Sequence, residues 1–326
     1  MKKEFSALLA AMMSTALMAC SSGVQFDLPE TSDNFDQSVT YNNKVDILWI
    51  VDNSSSMLKH QQNLSNQVPD LVARLNSLKM DYHMAVVTTS MGGPNPDGGR
   101  FIGSPKYVTS STPDLVNSLK NRMIVGEAGS NNERGLESME NALSSGYLAN
   151  EGKGFFRNDA LLVVIALSNE EDKSVVSNPS PYYTGLLDGL KRPWVDGSRS
   201  WVFNFIGVTP TSTNCTTFND YSEVGWRFID LVNVSGGVQE SICTSSLGSA
   251  VTNIRARIYQ ILTDFKLSKK PVIESITVTI NGQSVPRSNV NGWDYIESIN
   301  AIRFYGSAVP AADASIKVDF KPKDAN

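Results

Sequence analysis

Apolar residues recur along the chain at two different periods. Val45–Val51 (VDILWIV), Met84–Thr89 (MAVVTT), Ala160–Leu167 (ALLVVIAL) and Trp201–Val208 (WVFNFIGV) are short, nearly unbroken runs. Such runs suit strands covered on both faces. Between them the apolar positions return every three or four residues. Leu64, Val68, Leu71, Val72, Leu75 and Leu78 fall on one helical face, and Pro69 must kink or restart that helix. Leu136, Met139, Leu143 and Tyr147 form a second stripe, Val224, Phe228, Leu231 and Val232 a third, and Leu247 through Phe265 the longest. Strands alternating with helices predict an α/β fold, an open and mostly parallel sheet with helices on both faces.

The period changes after Pro271. Ser275–Ile280 (SITVTI) alternates and runs into Asn281-Gly282, the strongest short hairpin signal in the chain. Trp293–Ile296, Ala301–Phe304 and Ser315–Phe320 complete a small antiparallel β module. The expected organisation is a signal segment over residues 1–19, an anchor and polar tether over 20–43, the α/β domain over 44–268, and the β module over 269–326.

Composition narrows the function. The chain has 326 residues, of which 41% are hydrophobic, and a net charge of -5. A general nucleic-acid binder needs a basic surface to displace counterions from phosphate, so no nucleic-acid partner is expected. His60 and His83 are the only histidines, which argues against a histidine-rich metal centre. Lys2 and Lys3 precede an apolar run from Phe5 to Ala19 that is too short to span a membrane and suits a signal segment.

That run ends in Leu17-Met18-Ala19-Cys20, which resembles a bacterial lipobox. The resemblance implies lipidation of Cys20 and a membrane-anchored envelope protein. By Gram-negative sorting rules, Ser21 and Ser22 after the cysteine favour the outer membrane. A lipidated Cys20 leaves Cys215 and Cys243 as an even pair in an oxidising compartment, either bridged or as two buried thiols.

The candidate chemistry sits at the end of the first apolar run. Asp52-Asn53-Ser54-Ser55-Ser56 follows a strand and precedes a helix, where ligands bind in open α/β sheets. Its D-x-S-x-S spacing offers one carboxylate and two hydroxyls, hard oxygens suited to Mg²⁺ or Mn²⁺. Capping of the next helix is the alternative use of the same residues.

At this point the chain resembles the von Willebrand factor A (VWA) family, whose metal-ion-dependent adhesion site opens with the same motif. The resemblance covers most of residues 44–265. It places Ser130, in the loop from Gly129 to Gly135, where the family has a threonine ligand. Ser130 and Glu133 also read as a helix capping box. It places Asn169, after Ala160–Leu167, where the family has an aspartate. Glu170, Glu171 and Asp172 then read as a solvated acidic loop.

The resemblance implies a metal held by Asp52, Ser54, Ser56, Ser130 and Asn169, which accepts a carboxylate from a protein partner. Two other functions stay open. A metal-free scaffold would keep the fold and bind proteins through its loops, and Asn169 favours it. A hydrolase would use a serine of the 54–56 loop with His60 as base, although no nucleophile elbow surrounds those serines.

Overall fold

The structure is a computed structural model that describes residues 31–34, 42–92, 97, 99–194, 197–213, 215, 223–311 and 314–323. The signal segment, Cys20 and most of the tether lie outside the described residues. The strands are β1 Thr31–Asn34, β2 Lys44–Val51, β3 Asp81–Thr88, β4 Val108–Thr109, β5 Leu161–Ser168, β6 Trp201–Gly207 and β7 Gln239–Ser241. The last six are β8 Asp264–Lys266, β9 Thr277–Ile280, β10 Gln283–Val285, β11 Trp293–Ile296, β12 Ala301–Phe304 and β13 Ile316–Phe320. The helices are α1 Leu58–Ser65, α2 Val68–Ser77, α3 Leu115–Met123, α4 Gly135–Ala142, α5 Ser145–Ala149, α6 Pro179–Leu190, α7 Trp226–Ser235 and α8 Gly248–Thr263. No helix among the described residues is long and apolar enough to cross a membrane.

Six strands form one sheet in the order β4-β3-β2-β5-β6-β7, parallel except for β4. Successive side chains of a strand point to opposite faces, and β2 divides its apolar residues accordingly. Val45, Ile47, Trp49 and Val51 join the core under α1, α2 and α8. Leu48 and Ile50 join the core under α4, α6 and α7. Each fully buried aliphatic side chain contributes roughly 1.5–3 kcal/mol, so burial on both faces holds the sheet without alternation in the sequence. Pro69 sits in the first turn of α2, where its missing N–H costs no helical bond, and so it restarts the helix.

The chain leaves β2 for β3 on one side and later returns to β5 on the other. The carboxyl end of β2 is therefore the topological switch point of the sheet, where α/β folds leave a crevice. The amino ends carry a polar clamp instead. Asp46 is fully buried, and Arg157 grips it through its backbone N–H (2.6 Å) and its Nε (2.8 Å). Arg157 also donates to the carbonyls of Val45 (3.1 Å) and Asp81 (2.9 Å). Lys191, buried nearby, donates to the carbonyls of Arg157 (2.8 Å) and Ala160. Burial lowers its pKa to about 8.

The β module is larger than its expected limits. Its two sheets run β1-β13-β9-β10 and β11-β12-β8. Thr31–Asn34, assigned above to the tether, pair antiparallel with β13. Phe265, read as the end of the α8 stripe, lies in β8 and meets Phe304 edge-on at 5.3 Å. The break at 268/269 therefore falls after the module's first C-terminal strand. Periodicity missed this because Phe265 continues the helical spacing, while pairing with Ile302 on β12 sets its conformation. Asn281 and Gly282 form the expected two-residue hairpin loop between β9 and β10, with φ of 49° and 77°.

Cys215 and Cys243 are bridged, with Cα atoms 4.7 Å apart. The bridge closes a loop of sequence separation 28. On the chain-entropy account such a loop contributes about 3–4 kcal/mol. Reduction is therefore expected to lower the urea midpoint clearly. Equal midpoints for oxidised and reduced protein would refute that.

Candidate functional site at the switch point

Asp52 follows β2 directly, and its backbone N–H continues the ladder to the carbonyl of Leu167 (3.0 Å). Its carboxylate is buried. Oδ1 accepts the N–H of Ser54 (2.8 Å), and Oδ2 accepts the hydroxyl of Ser168 at the end of β5 (2.7 Å). The turn around Ser54 thus folds back on its own first residue. Ser55 points outward, exposed, while Ser54 is buried and Ser56 half-buried. Ser56 Oγ accepts the side-chain N–H of Asn169 (2.9 Å).

The other loops close in through Asn53. Its side-chain oxygen accepts the hydroxyl of Ser90, just after β3 (2.9 Å). Its carbonyl accepts the N–H of Gly129 (2.9 Å). A Cβ on Gly129 would stand 2.3 Å from Asn53 Oδ1, so only glycine allows this approach. Buried Gln61 on α1 braces the same loops, donating to the carbonyls of Asp52 and Gly126 (both 2.8 Å) and accepting the N–H of Gly126 (3.0 Å).

Four of the residues expected from the sequence meet here, and Ser130 enters differently. Its backbone N–H donates to Ser90 Oγ (2.9 Å), and its own hydroxyl accepts the N–H of Asn132 (3.0 Å). The capping-box reading fails. Helix α4 begins only at Gly135, two residues beyond Glu133. Its first N–H groups are met from another loop, Leu136 by Asp172 Oδ2 (3.0 Å) and Glu137 by Ser174 Oγ (3.0 Å).

Glu133 instead turns into the site. It is fully buried, and one carboxyl oxygen accepts the hydroxyl of Thr89. Burial above all, then the neighbouring Asp52 carboxylate, pushes its pKa up to about 9. Burial raises Asp52 as well, against the bonds from Ser168 and Ser54. Two buried carboxyls side by side cannot both ionise without a cation between or beside them. The sequence held one sign of this role, an acidic residue in a loop before a helix, but the capping pattern absorbed it.

The solvated acidic loop is also corrected. Asp172 is buried and caps α4. Glu171 accepts the backbone N–H of Arg227 at the start of α7 (3.1 Å). Glu170 pairs with Lys173 (2.8 Å). Two of the three acids serve helix N-termini, which favour negative charge.

A divalent cation fits this set of groups. Glu133 Oε1 and Ser54 Oγ are buried polar atoms with no hydrogen-bond partner, at the place where two carboxyls converge. Unpartnered buried oxygens are costly and rare, and a cation would satisfy both. No cluster of three or more His, Cys, Asp and Glu stands ready for a metal among the described residues. Hydroxyl and amide oxygens and water would have to complete the shell, which suits Mg²⁺ or Mn²⁺ and not Zn²⁺. His60, the conceivable base of a hydrolase, is buried on α1.

No protein-family model and no curated protein matches the chain. Solved structures with a similar arrangement include proximal thread matrix protein 1 from the mussel byssus. It has a TM-score of 0.43 and 13% identity over 74% of this chain and 52% of that one. The pilus adhesin SpaC from Lactobacillus rhamnosus GG has a TM-score of 0.42 and 11% identity over 86% of this chain and 40% of that one. The chain thus spans about half or less of each of these proteins. At such identities the likeness concerns the path of the chain alone.

Proposed function

We propose that the chain is a VWA-type module that binds a protein partner in a cation-dependent way at a bacterial envelope membrane, tethered by lipidated Cys20. The observation that carries the cation is the buried pair Asp52 and Glu133 with two unpartnered oxygens, Glu133 Oε1 and Ser54 Oγ. Asp52, Glu133, Ser54, Ser56 and Asn169 are the residues that would hold Mg²⁺ or Mn²⁺. A bound cation supplies positive charge for an acidic side chain of the partner. The chain's own part is to hold four loops in one arrangement, through Ser168, Ser90, Asn53 and Gln61. Glu133 would supply, from another loop, a second carboxylate in place of the aspartate that the family has at the position of Asn169.

Calorimetric titration of the full-length chain with Mg²⁺ and Mn²⁺ tests the reading. The parent is expected to bind at least one of them, and Asp52→Ala to bind neither while staying folded. No binding by the parent at millimolar cation would favour the metal-free scaffold. The anchor has its own test. Cys20→Ser is expected to move the protein to the soluble fraction, since stable anchoring needs more than one weak signal. Full retention on membranes after a high-salt wash would refute lipidation.

A further inference from the structure

Pairing within the β module gathers lysines from two distant stretches of the chain. Pro271 and Pro322 face each other across an antiparallel bridge. Lys323 donates its N–H to the carbonyl of Lys270, and Val272 donates its N–H to the carbonyl of Lys321 (both 2.8 Å). Opposed residues of such a pair share a face, and neighbours along each strand alternate. Pro271 is buried, so Lys270, Lys323, Lys321 and Val272 share the outer face. These three lysines and Lys269 are exposed, and so is Val272. Lys270 stands directly opposite Lys323, and like charges so placed are destabilising. Among the described residues no ion pair engages Lys269, Lys270 or Lys323. Segments 266–275 and 316–323 carry six lysines against two acids, Glu274 and Asp319, and β1 adds Asp33, in a chain of net charge -5. Asp319 is already paired with Lys317 (3.1 Å).

The same edge receives the chain from its amino terminus. Thr31 opens β1 opposite Phe320, the residue before Lys321. Eleven residue steps separate Cys20 from Thr31, which reach at most about 40 Å. We propose that these lysines, with Val272 among them, are a docking surface for the anionic phospholipid headgroups of the membrane that holds Cys20. The choice of membrane rests on the lipidation reading above. The occupant follows from charge and reach. A surface of negative phosphates relieves the repulsion between Lys270 and Lys323, and the tether presents that surface at high effective concentration. Each lysine near such a surface strengthens partition about fivefold. Docking there also sets the direction of the crevice. Arg257 on α8 donates to the carbonyl of Gly236, just before β7 (2.6 Å). Helix α8 therefore ends, and the module continues from it, at the amino ends of the parallel strands. Asp52 lies at their carboxyl ends, so a docked module turns the crevice away from the bilayer.

The test is co-sedimentation of the full-length Cys20→Ser chain with vesicles, which keeps the patch and removes the acyl chains. It is expected to bind vesicles of phosphatidylcholine mixed with phosphatidylglycerol more tightly than phosphatidylcholine alone. Salt at about 1 M, where the Debye length is about 3 Å, should abolish the difference. Adding Lys269→Gln, Lys270→Gln and Lys323→Gln together should weaken binding to the anionic vesicles at least about 20-fold, with the thermal midpoint unchanged or raised. A control that removes the same charge from exposed positions elsewhere, Lys79→Gln, Lys153→Gln and Arg192→Gln, should bind as before. Equal binding to both kinds of vesicle, or none to the anionic kind, would overturn the proposal. An unchanged affinity in the patch variant would overturn it too, as would an equal loss in the control, since net charge alone would then act. A clear drop in the thermal midpoint of the patch variant would count against it as well, because those lysines would then be holding the fold. The assay needs no acyl chain, whereas lipidation is read from cell fractionation of Cys20→Ser, so each reading fails separately.

Discussion

Glu133→Gln is expected to weaken Mn²⁺ binding at least about 100-fold, since loss of even an outer partner of a metal site typically costs about 10- to 100-fold. The substitution keeps the volume of the side chain and leaves an oxygen to accept the hydroxyl of Thr89. Only the ionisable group is removed. Without cation the variant should unfold at the parent's temperature or slightly above it, because near pH 7 the parent must take up a proton to bury Glu133 beside Asp52 and glutamine needs none. Ser130→Ala makes the comparison decisive. Its hydroxyl already accepts the N–H of Asn132, so its loss should change Mn²⁺ affinity far less. A larger loss in Ser130→Ala than in Glu133→Gln would return the ligand role to the residue that the family resemblance assigns. Asn169→Asp adds a third acid to the pair. It should tighten Mn²⁺ binding and lower the stability of the cation-free chain.

Arg157→Ala is expected to lower the unfolding free energy by about 3–5 kcal/mol, the usual cost of leaving a buried charge without its partner. Asp46 is fully buried at the amino end of β2, and the guanidinium of Arg157 is its ionic partner at hydrogen-bond distance. Burial already raises the Asp46 pKa in the parent, while Arg157 opposes the rise. Removing Arg157 lets it rise further. A carboxyl whose folded pKa lies above its unfolded value of about 3.9 binds its proton more tightly in the folded state. Its stabilising contribution is complete below that value and is lost as pH climbs through the folded pKa. The deficit of Arg157→Ala should therefore be small near pH 4 and grow toward pH 7. Adding Asp46→Asn should recover part of the loss at pH 7. Urea denaturation at both pH values reads this directly, and a deficit independent of pH would refute the clamp.

Local pattern decided much of this protein before any tertiary contact. The unbroken runs from Val45, Met84, Ala160 and Trp201 became the core of the parallel sheet because a strand covered on both faces needs no polar side. Asn281-Gly282 made its hairpin because two adjacent residues with positive φ are what that turn requires. The D-x-S-x-S turn formed at the end of β2 because Asp52 can accept the N–H of Ser54 only two residues away. All of these are short-range consequences of residue type and spacing. What the spacing could not decide was which residues meet across the chain. Glu133 lies 81 positions from Asp52, and it turns inward because Asp172 and Ser174, from another loop, take over the capping of α4. The strand at Thr31–Asn34 and the reassignment of Phe265 likewise depend on partners at Phe320 and Ile302. Long-range pairing and burial are set by the whole packed core, so the second carboxylate of the site and the true edge of the β module existed only in the tertiary structure.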